Sequence, residues 1–232
     1  GGGSMSMQVN NNVIQWRVGT DLTYISVDAA KEHLLELPAN SLTGASLTRC
    51  MHPEDAAMLS RTLAPANNRR SLTNCTVRYV CPKGTHTVTS LNITPECDEQ
   101  GKITAYYGRE RCIGAVDMRN DATPGFEAVL SRSFMAFCII DRELRLRAVN
   151  ELFASIAGRP ITKLLSTHVD ETGILTREDV AEAFWLLDAG GTIPEKDIIR
   201  RGKDYVMSIY GLPNACGDTA SVCLFLRDIS LR

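Results

Sequence analysis

Displaced by 122 residues against itself, the first third of the chain aligns without a gap: Leu22 falls on Leu144, Val27 on Val149, Asp28 on Asn150, Pro38 on Pro160 and Leu42 on Leu164. Further along the displacement becomes 118, with Gly84 on Gly202, Val88 on Val206, Ser90 on Ser208, Leu91 on Ile209 and Pro95 on Pro213. After a turn that is two residues shorter in the second copy, Arg111 meets Arg227 and Ile113 meets Ile229. So long a period exceeds a solenoid unit of ~20–45 residues. It fits a duplicated domain of roughly 105–110 residues. The chain then divides into a tag-like or disordered N-terminus (1–8), a first domain (9–116), a polar, helix-breaking linker (117–125) and a second domain (126–232).

Both copies have one layout. Val13 to Val18 and Leu22 to Val27 read as β-rich runs around the hairpin signal Gly19-Thr20-Asp21. Ala136 to Ile140 and Leu144 to Val149 repeat this around Asp141-Arg142-Glu143. A helix follows in each, and Asp28 and Asn150 are suited to cap it. Glu178 to Leu187 places Val180, Ala183, Phe184 and Leu187 at helical spacing. Three strand-like runs close each copy: Cys75 to Val80, Thr85 to Ile93 and Ile103 to Ile113, then Glu195 to Arg200, Tyr205 to Leu212 and Ala220 to Ile229. Two strands, helices and three strands predict an α+β fold, each copy a five-stranded antiparallel sheet with helices on one face.

Composition narrows the function classes. Hydrophobic residues make up 44% and charged residues 22%, so both copies can build cores. No run approaches the ~20 apolar residues that span a bilayer, which predicts no membrane contact. The net charge of −2 supplies no basic field for nucleic acid, and Arg69-Arg70 and Arg200-Arg201 read as solvated faces. Eight cysteines without a visible signal peptide read as reduced thiols in a cytoplasmic protein. Cys75, Cys112, Cys138 and Cys223 fall inside strand runs as small apolar fillers. No nucleophile elbow, carboxylate pair or phosphate loop appears, and no enzymatic activity is expected of this segment.

Several motifs now converge. Copy one carries "MHPED" (Met51 to Asp55), "CPKGTHTV" and "PECDEQGKITAYYG"; copy two carries "AVNELFASIAG" and "LFLRDIS" (Leu224 to Ser230). In order, spacing and repetition these resemble the PAS family of sensory domains over nearly the whole chain. The resemblance implies two PAS-like domains in tandem, in a bacterial-type signal transduction protein. They would bind a small-molecule ligand or cofactor, form a homodimer and relay a signal to an output domain beyond Arg232, such as a histidine kinase, a diguanylate cyclase or a phosphodiesterase. The alternative is a ligand-free dimerisation and interaction module. By resemblance, Arg227 and Asp228 at the exit of the last strand relay the signal, with Asp228 paired to a basic group; copy one has Cys112 at the Asp position. Copy two lacks His-Pro-Glu-Asp and offers Thr176 as a helix cap instead.

Flavin-binding PAS domains carry a segment similar to "AEAFWLLDAGG". That similarity nominates Trp185, Phe184, Met207 and Ile209 for a cofactor site, with FAD the leading candidate ahead of haem. Trp185 is alternatively a core residue against the sheet. Period 2 sets Tyr205, Met207 and Ile209 on the core side, and Val206, Ser208 and Tyr210 on the other. His52 reads as a haem ligand or as a loop residue ahead of a helix opening Pro53-Glu54-Asp55. Cys50 reads as a redox thiolate or as an inert buried thiol. Cys75, Cys81, His86 and Cys97 are close in sequence but irregular for a metal site, and no metal is expected. Trp16 reads as core. The segment Thr123 to Ser133 predicts a helix whose Phe126, Val129 and Leu130 form a stripe for a partner or for the sheet.

Overall fold

The computed structural model describes residues 13–64, 71–118 and 134–230. In the first half β1 (Ile14–Gly19) and β2 (Tyr24–Val27) precede α1 (Ala29–Leu34) and α2 (Pro53–Thr62). Then follow β3 (Leu72–Val80), β4 (Thr85–Cys97) and β5 (Ile103–Asp117). The second half opens with β6 (Ala136–Asp141), β7 (Leu146–Asn150), α3 (Glu151–Ala157) and α4 (Ile161–Leu164). After a 3-10 turn, Val169–Thr172, come α5 (Arg177–Asp188), β8 (Lys196–Arg200), β9 (Lys203–Pro213) and β10 (Thr219–Asp228).

Among the described residues the strands run β2-β1-β5-β4-β3 in the first half and β7-β6-β10-β9-β8 in the second, every pairing antiparallel. The two orders are the same. Backbone conformations repeat with them: Leu22 (φ 60°) and Leu144 (φ 61°), equivalent in the self-alignment, are both left-handed after their hairpin turns. What the repeat does not foretell is the join. β5 is longer than its sequence run implied, and its last turn of strand pairs with β7, from Gly114↔Asn150 to Val116↔Ala148. One 10-stranded sheet results. Asp117, expected to open the linker, is therefore the last residue of β5 and is buried. Residues 119–133, with the Thr123 to Ser133 stripe, and the Arg69-Arg70 doublet lie outside the described residues.

Period 2 sorts the side chains. On β6, Cys138 and Ile140 join the second half's core with Phe153, Phe184, Ile209 and Leu224. Phe137 and Ile139 face the other way, into an apolar cluster with Val88, Val116, Ala148 and Cys223 that spans the join. The first half has its own core around Trp16, Leu59, Tyr79 and Leu91, and Trp16 is buried as expected.

Helix caps follow the sequence in part. Asn150 accepts from the Phe153 amide at 3.0 Å, and Thr176 accepts from the Asp179 amide at 3.2 Å. Asp28 makes no such bond; its carboxylate accepts from the Gln15 amide of β1 at 2.8 Å. Arg200 and Arg201 are not a merely solvated face. Arg200 Nε donates to the Ile174 carbonyl at 2.7 Å and Arg201 donates to the Ala157 carbonyl at 2.8 Å, stapling the β8–β9 hairpin to the helical layer.

Candidate functional site

The sheet face under α1 holds a charged pair where a core is normally apolar. Lys31, on α1, and Glu110, on β5, have 0% and 1% of their surface exposed. The short helix turns Lys31 inward, and the Lys31 Nζ donates to Glu110 Oε1. Burial without partners would cost such charges several kcal/mol each, and the surroundings supply partners fully. Tyr79 of β3 and Thr89 of β4 each donate a hydroxyl to Glu110 Oε2 at 2.6 Å, and Trp16 Nε1 of β1 donates to Oε1 at 3.2 Å. Lys31 Nζ also donates to the Tyr79 hydroxyl at 2.7 Å and lies 4.3 Å from the Tyr79 ring centroid. Trp16 meets Tyr24 edge-on at 6.0 Å, and the buried Tyr24 hydroxyl has no hydrogen-bond partner among the described residues. Burial pulls the Lys31 ammonium below its ordinary value against the opposing pull of Glu110, and pushes the Tyr24 and Tyr79 phenols up.

This network ties α1, β1, β3, β4 and β5 to a single carboxylate. Glu110 is saturated with donors and Lys31 is neutralised, so neither is poised as a base or nucleophile. The arrangement fixes one geometry for five elements. Sequence reading missed it because a lysine in "AAKEHLL" reads as a solvated helix residue. The self-alignment held the signal: Lys31 falls on Phe153, Trp16 on Cys138 and Glu110 on Leu226, all buried apolar residues of the second core.

The nominated cofactor residues separate. Phe184, Met207 and Ile209 lie in the second core, and Tyr205 joins them on the same side, as period 2 requires. Val206 is buried on the opposite face and Tyr210 is exposed there. The Arg142 guanidinium sits 4.6 Å from the Phe184 ring centroid. Trp185, however, is 69% exposed, on the solvent side of α5. The expectation of a tryptophan packed against the sheet is corrected. Adjacent helix positions are ~100° apart, and Phe184 takes the inward direction.

At the chain exit, Asp228 accepts from the Ser230 amide at 2.9 Å, and this bonding holds its carboxyl below the ordinary value. Its expected basic partner is replaced by that serine; neither Arg227 nor Asp228 is in an ion pair among the described residues. Arg111, the counterpart of Arg227, reaches Glu151 of the second half at 2.9 Å. Cys112 touches both cores, and burial pushes its thiol up to about 12. His52 caps α2, its Nδ1 accepting from the Glu54 amide at 3.3 Å, with Pro53 opening the helix. Burial pushes the Cys50 thiol up, which opposes a redox thiolate. Cys81 precedes β4 and Cys97 ends it, so the long strand holds them apart, at opposite ends of the sheet. Among the described residues no three His, Cys, Asp or Glu side chains converge as a metal site, and no helix is long and apolar enough to cross a membrane.

A protein-family model described as "PAS fold" matches residues 24–109. No curated protein matches the chain. Among solved structures, the PAS-B domain of Cycle from Drosophila melanogaster, with bound ethylene glycol, is 13% identical, with 43% of this chain and 98% of that one covered and a TM-score of 0.38. The PAS domain of an HTR-like protein from Haloarcula marismortui is 14% identical, covering 45% and 84%, with a TM-score of 0.38. A PAS domain from Colwellia psychrerythraea is 15% identical, covering 44% and 86%, with a TM-score of 0.39. With their antiparallel strands, short helices and matching family model, residues 24–109 carry a PAS fold, that of a family of sensory domains which generally act in signalling.

Proposed function

We propose that the chain is a cytoplasmic sensory module of two PAS domains in tandem. It binds a small molecule or cofactor and relays the bound state to an output domain beyond its last strand, such as a histidine kinase, a diguanylate cyclase or a phosphodiesterase. The observation that carries this reading is the β5–β7 pairing, in which the projecting end of β5, the central strand of the first half, adds to the edge strand β7 of a second set of strands in the same order. A shift of β5, which holds Glu110 of the buried network, is thereby coupled to β7 and to the helices of the second half. Arg111 to Glu151 is a second tie across the same join. The relay leaves through β10, whose end is tied to β9 by the Ile229 amide donating to the Asp204 carbonyl at 2.9 Å. Arg227 and Asp228 stand at that point, and homodimerisation through the Phe126, Val129 and Leu130 stripe belongs to the same proposal.

The test begins with the purified chain. Released small molecules are identified by mass spectrometry and an absorption spectrum is recorded; flavin bands would identify FAD, the cofactor proposed for the Trp185 segment, and a Soret band haem. Trp185→Ala is run beside it, because a flavin held under α5 would need this residue turned inward. A protein that releases nothing and is unshifted in melting by a metabolite panel is a ligand-free spacer, which overturns the sensing half of the proposal.

A further inference from the structure

Where the two halves meet, a groove of about 550 Å³ opens between them. That is within the ~300–1,000 Å³ of small-molecule sites. Glu36, Leu37, Lys83 and Thr85 line it from the first half, and Thr162 and Leu165 from the second. The Glu36 carboxylate is half satisfied. Its Oε1 accepts from the Thr85 hydroxyl at 3.2 Å, while Oε2 is enclosed by protein and has no hydrogen-bond partner among the described residues. A carboxylate oxygen taken from water without a donor is unfavourable, and a native structure that keeps one calls for a reason.

The backbone sharpens the point. α1 ends in a Schellman arrangement: the Leu37 amide donates to the Glu32 carbonyl at 2.9 Å and the Glu36 amide to the His33 carbonyl at 3.2 Å. Glu36 thus takes the left-handed position, at φ 56°, where glycine is favoured. The self-alignment supplies the comparison within the chain. Glu36 falls on Gly158, which ends α3 at φ 68°. The second copy uses the residue that the turn prefers. The first places there a β-carbon that the turn disfavours, and its side chain reaches the groove. Departures from a local rule of this kind gather at functional sites.

We propose that this groove binds a small amphiphilic amine of the α-amino-acid class, the Glu36 carboxylate turning its unpartnered Oε2 from the protein into the groove it lines to accept from the ammonium. Leu37 and Leu165 form apolar walls for the body of the molecule. Lys83 is exposed and in no ion pair among the described residues, so its ammonium donates to the anionic end. The occupant touches both halves and stiffens their join. This assignment rests on the sensory reading above, and places the ligand between the domains instead of within either.

Titration calorimetry on the full chain tests it with three probes: L-leucine, isopentylamine, which lacks the carboxylate, and 4-methylpentanoate, which lacks the ammonium. L-leucine and isopentylamine are expected to bind and 4-methylpentanoate not to. Glu36→Gln should weaken both binders about tenfold or more, the usual weight of a charge-assisted bond. Lys83→Ala should weaken L-leucine and leave isopentylamine unchanged. Glu36→Gly should abolish binding and melt no lower than the wild type. The assignment is overturned if neither amine binds, if Glu36→Gln binds as the wild type does, or if Glu36→Gly melts markedly lower, which would make the carboxylate a structural strut. A different molecule that copurifies, and is retained by Glu36→Gln, would overturn this groove while leaving the sensory reading intact.

Discussion

Lys31 and Glu110 lie 79 residues apart in sequence, yet they form the most tightly enclosed ion pair among the described residues. Removing one member leaves the other buried and uncompensated. Lys31→Met should therefore lose ~3–5 kcal/mol in urea unfolding. Glu110→Gln should lose a similar amount, because Lys31 then keeps its charge. The double variant should lose at least ~2 kcal/mol less than the sum, since neither charge is left behind. Additive losses would mean that the two act through separate partners. The pair is a device of geometry more than of stability. The second copy puts Phe153 and Leu226 at the same positions and forms a core without it.

At the scale of elements, equivalent residues do unequal work. Asn150 caps α3, accepts from the Phe137 amide at 3.1 Å and donates to the Met135 carbonyl at 2.8 Å. It fastens a helix start to the strand beside it. The side chain of Asp28, its counterpart, is hydrogen-bonded to β1 alone among the described residues. A cap is worth ~1 kcal/mol, and a net hydrogen bond about the same. Asn150→Ala should therefore cost ~2 kcal/mol or more, and Asp28→Ala less than ~1 kcal/mol. Equal losses in chemical denaturation would show that the extra bonds of Asn150 carry no weight. The β8–β9 hairpin depends likewise on Arg200 and Arg201, which hold the carbonyls of Ile174 and Ala157.

For the whole molecule the join between halves is decisive. Arg147 of β7 bridges Asp141 at 2.5 Å and the fully buried Asp117 carboxylate at 2.9 Å, and Ser166 donates to that carboxylate at 3.0 Å. Arg147→Ala should cost ~3 kcal/mol. Because the loss falls at the join, amide exchange should quicken first across Gly114 to Asp117 and Leu146 to Asn150. Uniform quickening over both halves would contradict a local coupling role. Acid should act elsewhere. Asp55 and Asp179 are partly buried, which by itself raises a carboxyl. The bonds from Arg78 to Asp55, and from Thr176 and Lys196 to Asp179, more than offset this and leave both below the ordinary value. Groups depressed in the fold contribute stability above their unfolded pKa of ~3.9 and lose it as pH falls through the folded value. Melting temperature should thus fall below about pH 4 in the wild type. The fall should be shallower in an Asp55→Asn/Asp179→Asn variant, and identical acid limbs would exclude these residues.

The repeat, the kind of each element and most of the core faces were determined by the sequence alone. Period 2 put Met207 and Ile209 inward and Tyr210 outward because a strand's alternation is local. Thr176 and Asn150 were legible as caps because a cap is satisfied within three residues. The spans of β4 and β5 came out short, since pairing with neighbours extends a strand beyond its own propensity. Only the tertiary structure decided what stands opposite each face. Period 3.6 finds the apolar stripe of α5 but cannot say which side of that stripe a large aromatic takes, so Trp185 was misplaced. A charge on a short helix is solvated or buried according to residues far away in the chain, and Lys31 is buried because Glu110, Tyr79, Thr89 and Trp16 converge on one point. The join of the end of β5 to β7, and the groove beside Glu36, depend on the register of β5 against β7, which no local pattern encodes.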